Sequence, residues 1–341
     1  MKFLVTGGAG FFGSQFVSEL LKVEHPDKIF VLDNFSRAGS LGNIEFLTKS
    51  RLNIIPGDIR DADLSLPAVD VVVNFSADPS VPGGRVDESF RSKKTINLDG
   101  VINLVERTRG AQKFIQISTN RVYSATELNG LPMSKGPSRF VVDGSGPGWC
   151  GHAGISEQFS VSGMRSSYGW SKLCAELAIE ELAADLGFEF AALRFGLISG
   201  QGQFGTENQG VVSYLARSIK SRTPIKWIGY GGDGLQVRDA LHVEDACEAV
   251  FRAIPMATGS GFLANVGGGP ERSFSLRELT EFVADQFGCK DIALERDGTT
   301  RYGDIPWYVS DSSFFSGATG WVPRHSLEDI ILDSLSVEGR R

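Results

Sequence analysis

Cysteine is scarce. Cys150, Cys174, Cys247 and Cys289 are the only four in 341 residues, and their spacing fits neither a zinc site nor a redox pair, so they read as reduced thiols. Long apolar runs are also missing. None approaches the ~18 residues that a membrane span needs, and the amino terminus enters a short apolar strand without a signal-peptide pattern. Positive charge is in deficit, 34 lysines and arginines against 41 acidic residues for a net charge of -7. That balance argues against nucleic acid or an anionic membrane as the main partner, although a few local arginines can still bind a diphosphate. No metal site is expected, no internal repeat or low-complexity tract is visible, and cytoplasm is the expected compartment.

What the chain has is rhythm. Lys2–Thr6 is a short apolar run ended by glycines, and a helical pattern follows from Phe12 to Leu21. Ile29–Leu32 stops at Asp33, and strand signals return at Asn53–Pro56, Val69–Asn74, Phe114–Ser118 and Phe188–Leu193, with helical stretches at Asn97–Thr108 and Ser171–Leu186. Near-continuous apolar strands alternating with helices predict a doubly wound, Rossmann-type parallel α/β sheet covered on both faces. After Arg194 the pattern changes to Gly-rich loops and short helices. The expected organisation is a dinucleotide-binding domain over 1–195, to which 225–262 returns, and a smaller substrate lobe from 196–224 and 263–341. The stretch from Ser124 to about Ser166 lacks clear periodicity, and its length marks it as a lid or binding loop.

The first strand runs into Thr6-Gly7-Gly8-Ala9-Gly10-Phe11-Phe12-Gly13. Glycines between a strand and a helix allow positive φ and close backbone approach to a diphosphate, which the helix N-terminus then favours. Asp33 ends the next strand at the distance where a carboxylate meets ribose hydroxyls and repels a 2′-phosphate, so NAD is expected rather than NADP. Arg37 lies nearby, but the position directly after the acid is Asn34. Asp58 and Ile59 follow the third strand toward the adenine, and Ser76 and Ala77 follow the fourth, where small residues permit approach. The expected cofactor shell is Gly7, Gly10, Phe11, Phe12, Gly13, Asp33, Asn34, Asp58, Ile59, Ser76, Ala77, Asn97, Ser118, Tyr168, Lys172 and Phe195.

Tyr168-Gly169-Trp170-Ser171-Lys172 puts a phenol and an ammonium on one side of a helix. A neighbouring cation favours the phenolate, so the tyrosine can serve as a base. Thr119, at the end of the fifth strand, offers a hydroxyl to share the proton. Expected catalytic residues are therefore Thr119, Tyr168 and Lys172.

These motifs resemble the extended short-chain dehydrogenase/reductases that modify nucleotide sugars, over essentially the whole chain. The resemblance implies a Ser/Thr role for Thr119, a base at Tyr168, a lysine at Lys172 and a structural asparagine at Asn97. Sugar-nucleotide 4,6-dehydratases carry Asp-Glu after the threonine, whereas this chain has Asn120-Arg121 and lacks that acid and base. Ser118–Tyr123, Gly154–Glu157, Gln236–His242, Gly205–Glu207 and Arg301–Asp304 are similar to the CDP-sugar 2-epimerase branch, from which Ser124 (for glycine) and Arg121 (for lysine) depart. That similarity implies redox epimerisation at C2 of a CDP-3,6-dideoxyhexose, of the CDP-paratose to CDP-tyvelose type, through a transient keto sugar. Arg238 and Arg301 resemble nucleotide diphosphate and ribose contacts, and Asn120, Asn208 and Gln236 complete the expected substrate set. Gln209, Trp149, Cys150 and His152 are weaker candidates, and His242 reads as a helix-entry residue. The family also implies a homodimer or homotetramer. Competing readings are epimerisation at another carbon, such as C4 of a UDP-sugar, and a non-catalytic NAD-binding protein.

Overall fold

The computed structural model describes residues 1–335 apart from 38, 41, 44–48, 50, 81–87, 204, 207–209 and 290. Seven strands, β1 (Phe3–Thr6), β2 (Ile29–Asp33), β3 (Asn53–Pro56), β4 (Val71–Asn74), β5 (Lys113–Thr119), β6 (Glu189–Phe195) and β7 (Phe262–Val266), form one parallel sheet in the order β7-β6-β5-β4-β1-β2-β3. The winding direction reverses between β1 and β4, and the crevice beyond their carboxyl ends is where such sheets bind ligands.

Alternation along the strands sets the two covered faces. Val5, Val31 and Val73 face α1 (Phe11–Leu20), packing with Phe16, Val17 and Leu20 and with Ala246, Ala249 and Val250 of a second helix, Val243–Ala253. Leu4, Leu32, Val72 and Phe114 face the other way, onto Val101 and Leu104 of α2 (Gly100–Arg107) and Ala175, Ile179 and Ala183 of α3 (Ser167–Leu186). α3 starts where the Ser166 side chain accepts the Gly169 N–H and ends at Gly187, whose φ of 74° suits a left-handed C-cap. A π-helical turn, Thr95–Asp99, precedes α2 and turns Asn97 inward.

Two expectations change. The strand Ile225–Ile228 pairs with Leu294–Asp297 outside the main sheet, and Val237–His242 joins Leu197–Ser199 and Ser273–Ser275. Within 225–262 the helix Val243–Ala253 packs on the main sheet, and β7 joins the sheet from residue 262 onward, because a strand signal does not name its partner. The stretch from Ser124 to Ser166 is built rather than loose. It holds a helix, Ala125–Asn129, a hairpin of Met133–Lys135 with Phe140–Val142, and three short paired strands. Leu128, Phe140, Val142, Ile155 and Phe159 pack there with Ile305, Trp307, Tyr308 and Val309. Strands of two or three residues are too short for periodicity to reveal. Among the described residues, no helix is long and apolar enough to cross a membrane.

Candidate active site

The carboxyl ends of the strands open into one groove with two adjoining hollows of about 450 and 540 Å³. Gly7, Gly10, Asp33, Asn34, Asp58, Ile59, Ser76 and Ala77 line the first. Phe11, Phe12, Gly13, Ser118, Thr119, Asn120, Tyr168, Lys172, Phe195 and Arg238 line the second.

The glycine turn is sterically obligatory. A Cβ on Gly13 would lie 2.2 Å from the Gly7 carbonyl oxygen, and one on Gly7 (φ 68°) would lie 2.7 Å from the Ser76 amide nitrogen. The strand-to-helix turn thus leaves a backbone cradle at the N-terminus of α1, the arrangement a dinucleotide diphosphate requires. Asp33 braces it, accepting the Ala9 N–H at 2.9 Å and the Phe35 N–H at 2.8 Å. Asp58 accepts from Asn34 at 2.7 Å, and hydrogen bonds from Arg60 hold its carboxyl well below the usual carboxylate range. Asn97 lies beneath the groove rather than in it. Its amide donates to the Asp78 carbonyl (3.1 Å) and the Ser171 hydroxyl (2.9 Å), and its oxygen accepts the Asp78 N–H (2.7 Å), tying the loop after β4 to α3.

At the far end, Tyr168 and Lys172 occupy successive turns of α3 opposite Thr119. Burial pushes the Tyr168 phenol up to about 12, offset in part by its hydrogen bond to Thr119 and by the Arg121 guanidinium. Burial brings the Lys172 ammonium down to about 8, against the pull of Glu176 one turn on. Strand alternation separates the adjacent hydroxyls: Thr119 faces Tyr168, whereas Ser118 donates to Glu176.

Residues 3–267 match the NAD dependent epimerase/dehydratase family. The chain belongs to that family. Among its relatives are a CDP-paratose 2-epimerase of Salmonella typhi, 27% identical over 96% of each chain, and a putative UDP-glucose 4-epimerase of Methanocaldococcus jannaschii, 28% identical over 96% of this chain and 94% of the relative. In structure it is similar to a UDP-glucuronic acid 4-epimerase of Bacillus cereus solved with UDP-glucuronic acid and NAD, with a TM-score of 0.80, 25% identity and 98% of both chains covered. NAD is the cofactor of the NAD dependent epimerase/dehydratase family, and the glycine cradle, Asp33 and the groove fit it.

Not every expected residue reaches the groove. Gln236 is buried, with its amide donating to the Ile228 carbonyl at 2.5 Å, so it ties off a strand end and does not line either hollow. Arg301 lies outside both linings, in the turn where its carbonyl accepts the Asp304 N–H. Asn208 and Gln209 lie outside the described residues. His242 caps its helix by accepting the Glu244 N–H. The sequence reading missed Arg121, Gln203 and Thr206, which line the second hollow, and Asn43, which donates to the Ala9 carbonyl at 2.9 Å. A Gly-rich context pointed loosely to Gln203 and Thr206, but nothing local pointed to Asn43.

Proposed function

We propose that the chain is a cytoplasmic epimerase that inverts C2 of a CDP-linked 3,6-dideoxyhexose, with Thr119, Tyr168 and Lys172 as its catalytic residues. The observation that carries this reading is the convergence of Thr119, Tyr168 and Lys172 on one hollow lined by Asn120 and Arg121, where a dehydratase needs an acid and a base. Likeness to the Salmonella 2-epimerase over 96% of the chain favours C2.

In this mechanism Thr119 and Tyr168 hold the sugar hydroxyl between them, and the tyrosyl oxygen takes its proton and later returns it. When bound, NAD accepts the carbon-bound hydrogen with its electron pair and gives it back. Lys172 carries the positive charge that favours the phenolate form from which Tyr168 accepts that proton. Between the two half-reactions the flat keto sugar turns over within the hollow, so that hydrogen returns to the opposite face. Arg238 is assigned to the nucleotide diphosphate, and the lobe formed by 196–224 and 263–341 to the nucleotide. Leu177, 54% exposed on α3, suits an assembly of two or four copies through α2 and α3.

The test is substrate deuterated at C2. Turnover should slow by a primary isotope effect, and Tyr168→Phe should abolish turnover while retaining NAD. A second reading, epimerisation at C4 of a UDP-sugar, draws on the likeness to the Bacillus 4-epimerase. An isotope effect from C4 deuterium alone would establish it and remove the first.

A further inference from the structure

The second hollow is strongly cationic. Arg37, Arg121, Lys172 and Arg238 line it, and no acidic side chain does so among the described residues, in a protein whose net charge is -7. Two of these arginines differ in how their donors are used. Arg238 donates to the Val237 carbonyl (2.7 Å), the Ile305 carbonyl (2.6 Å) and Asp304 (3.3 Å). Arg121 does not match this. Its Nη1 is buried without a hydrogen-bond partner, and the nearest carboxylate oxygen, Asp304 Oδ1, is 3.9 Å away and already accepts from Arg238 and from the Ile305 N–H. Nη1 itself is shielded, but the side chain as a whole is 21% exposed, lines the hollow and makes no hydrogen bond to another described residue, so the guanidinium can turn onto a ligand there and satisfy that donor.

The place of Arg121 says what that partner is. Its backbone N–H donates to Thr119 Oγ1 at 3.2 Å. Its carbonyl and Cβ press on Gly169, where an added Cβ would come within 1.9 and 3.2 Å of them, so Arg121 sits directly beside Tyr168. We propose that Arg121 binds the phosphoryl group attached to the sugar's anomeric oxygen. This rests on the C2 reading. When C2 lies at Tyr168, the anomeric carbon is its neighbour and the phosphoryl oxygens are held beside the reacting centre. When C4 lies there, the anomeric carbon is across the ring and the phosphoryl group is carried away from Arg121. The planar guanidinium is suited to two phosphoryl oxygens at once. Arg121 thus helps decide which carbon reaches the base.

Equilibrium titration of the NAD-loaded protein with CDP and with CMP tests the assignment without turnover, with UDP and UMP as the alternative base. In Arg121→Met, affinity for the diphosphate should fall about 10- to 100-fold, the worth of a charge-assisted hydrogen-bonded contact, while the monophosphate is unchanged. Arg121→Lys should lose less, and it serves the same comparison if the methionine variant does not fold. Unchanged diphosphate affinity, or equal losses for both nucleotides, overturns the proposal. The isotope experiment on unaltered protein decides C2 against C4 separately, so failure of that reading is distinguishable from failure of the phosphoryl contact.

Discussion

Glu176 of α3 and Arg194 of β6 form an ion pair at 2.8 Å with side chains only 4% and 6% exposed. Glu176 also accepts the Ser118 hydroxyl, and Arg194 donates to the Tyr123 hydroxyl at 3.2 Å, which in turn donates to Asn265 at 2.7 Å. The helix that carries Tyr168 and Lys172 is therefore pinned to β5 one residue before Thr119. Removing one partner leaves a buried uncompensated charge, so Glu176→Ala should lose about 3–5 kcal/mol in denaturant unfolding. Replacing both residues with methionine should recover much of that stability. Turnover should stay low in the double variant, because the helix is no longer registered against Thr119.

Lys172 should cost stability where it serves chemistry. Its pKa falls from 10.5 unfolded to about 8 folded. Between those values the unfolded chain binds a proton that the native chain has released, so this group makes stability rise with pH through the window. Below it the native state carries a buried ammonium at a cost on the order of 3 kcal/mol. Lys172→Met should therefore be more stable than the parent at pH 7, with the difference shrinking toward pH 10.5, while turnover is lost. Urea unfolding at a series of pH values measures it, and a variant less stable at pH 7 would contradict the assigned burial cost.

Six of the seven strands were legible because each is a short apolar run that stops at a polar residue, a proline or a glycine near the site, whereas β7 carried no signal that was read as a strand. Asn53–Pro56 appears in the structure with the bounds read from the sequence. The glycine turn, Asp33, Thr119, Tyr168 and Lys172 were legible for the same reason: spacing along one strand or helix fixes their direction. Illegible were contacts between residues far apart in the chain. Glu176 and Arg194 are each unremarkable in sequence, and only the packing of α3 on β6 pairs them. Arg121 was visible as a departure from a motif, but its orphaned donor depends on Asp304, brought in from the carboxyl-terminal region. The short strands between residues 124 and 166 were hidden because strands that short, held by residues near 305–309, carry no period.

Asp33 should act through the turn as well as through the cofactor. It accepts two backbone N–H groups, from Ala9 and Phe35. Asp33→Asn replaces one acceptor oxygen with a donor facing an N–H and removes the charge that repels a 2′-phosphate. NAD affinity should weaken about tenfold, and the preference over NADP should shrink, since a lost charge-assisted bond is worth roughly 1.5–3 kcal/mol. Fluorescence titration with both dinucleotides measures it. A variant that keeps full discrimination would assign the preference to some other group.

Two glycines separate cofactor binding from catalysis. A Cβ on Gly13 would stand 2.2 Å from the Gly7 carbonyl oxygen and 2.8 Å from Gly8 Cα, so Gly13→Ala must open the turn that cradles the diphosphate. A Cβ on Gly169 would stand 1.9 Å from the Arg121 carbonyl oxygen, and Gly169 is not in the left-handed region, so the obstacle there is contact rather than backbone strain. Gly169→Ala should push the first turn of α3 away from the turn after β5, parting Tyr168 from Thr119 at a stability cost of about 1–3 kcal/mol. Gly13→Ala should emerge without NAD, whereas Gly169→Ala should retain NAD and lose turnover. Absorbance of the denatured supernatant reports the first and a coupled assay the second. Loss of NAD from the Gly169 variant would mean that α3 positions the cofactor as strongly as it positions the base.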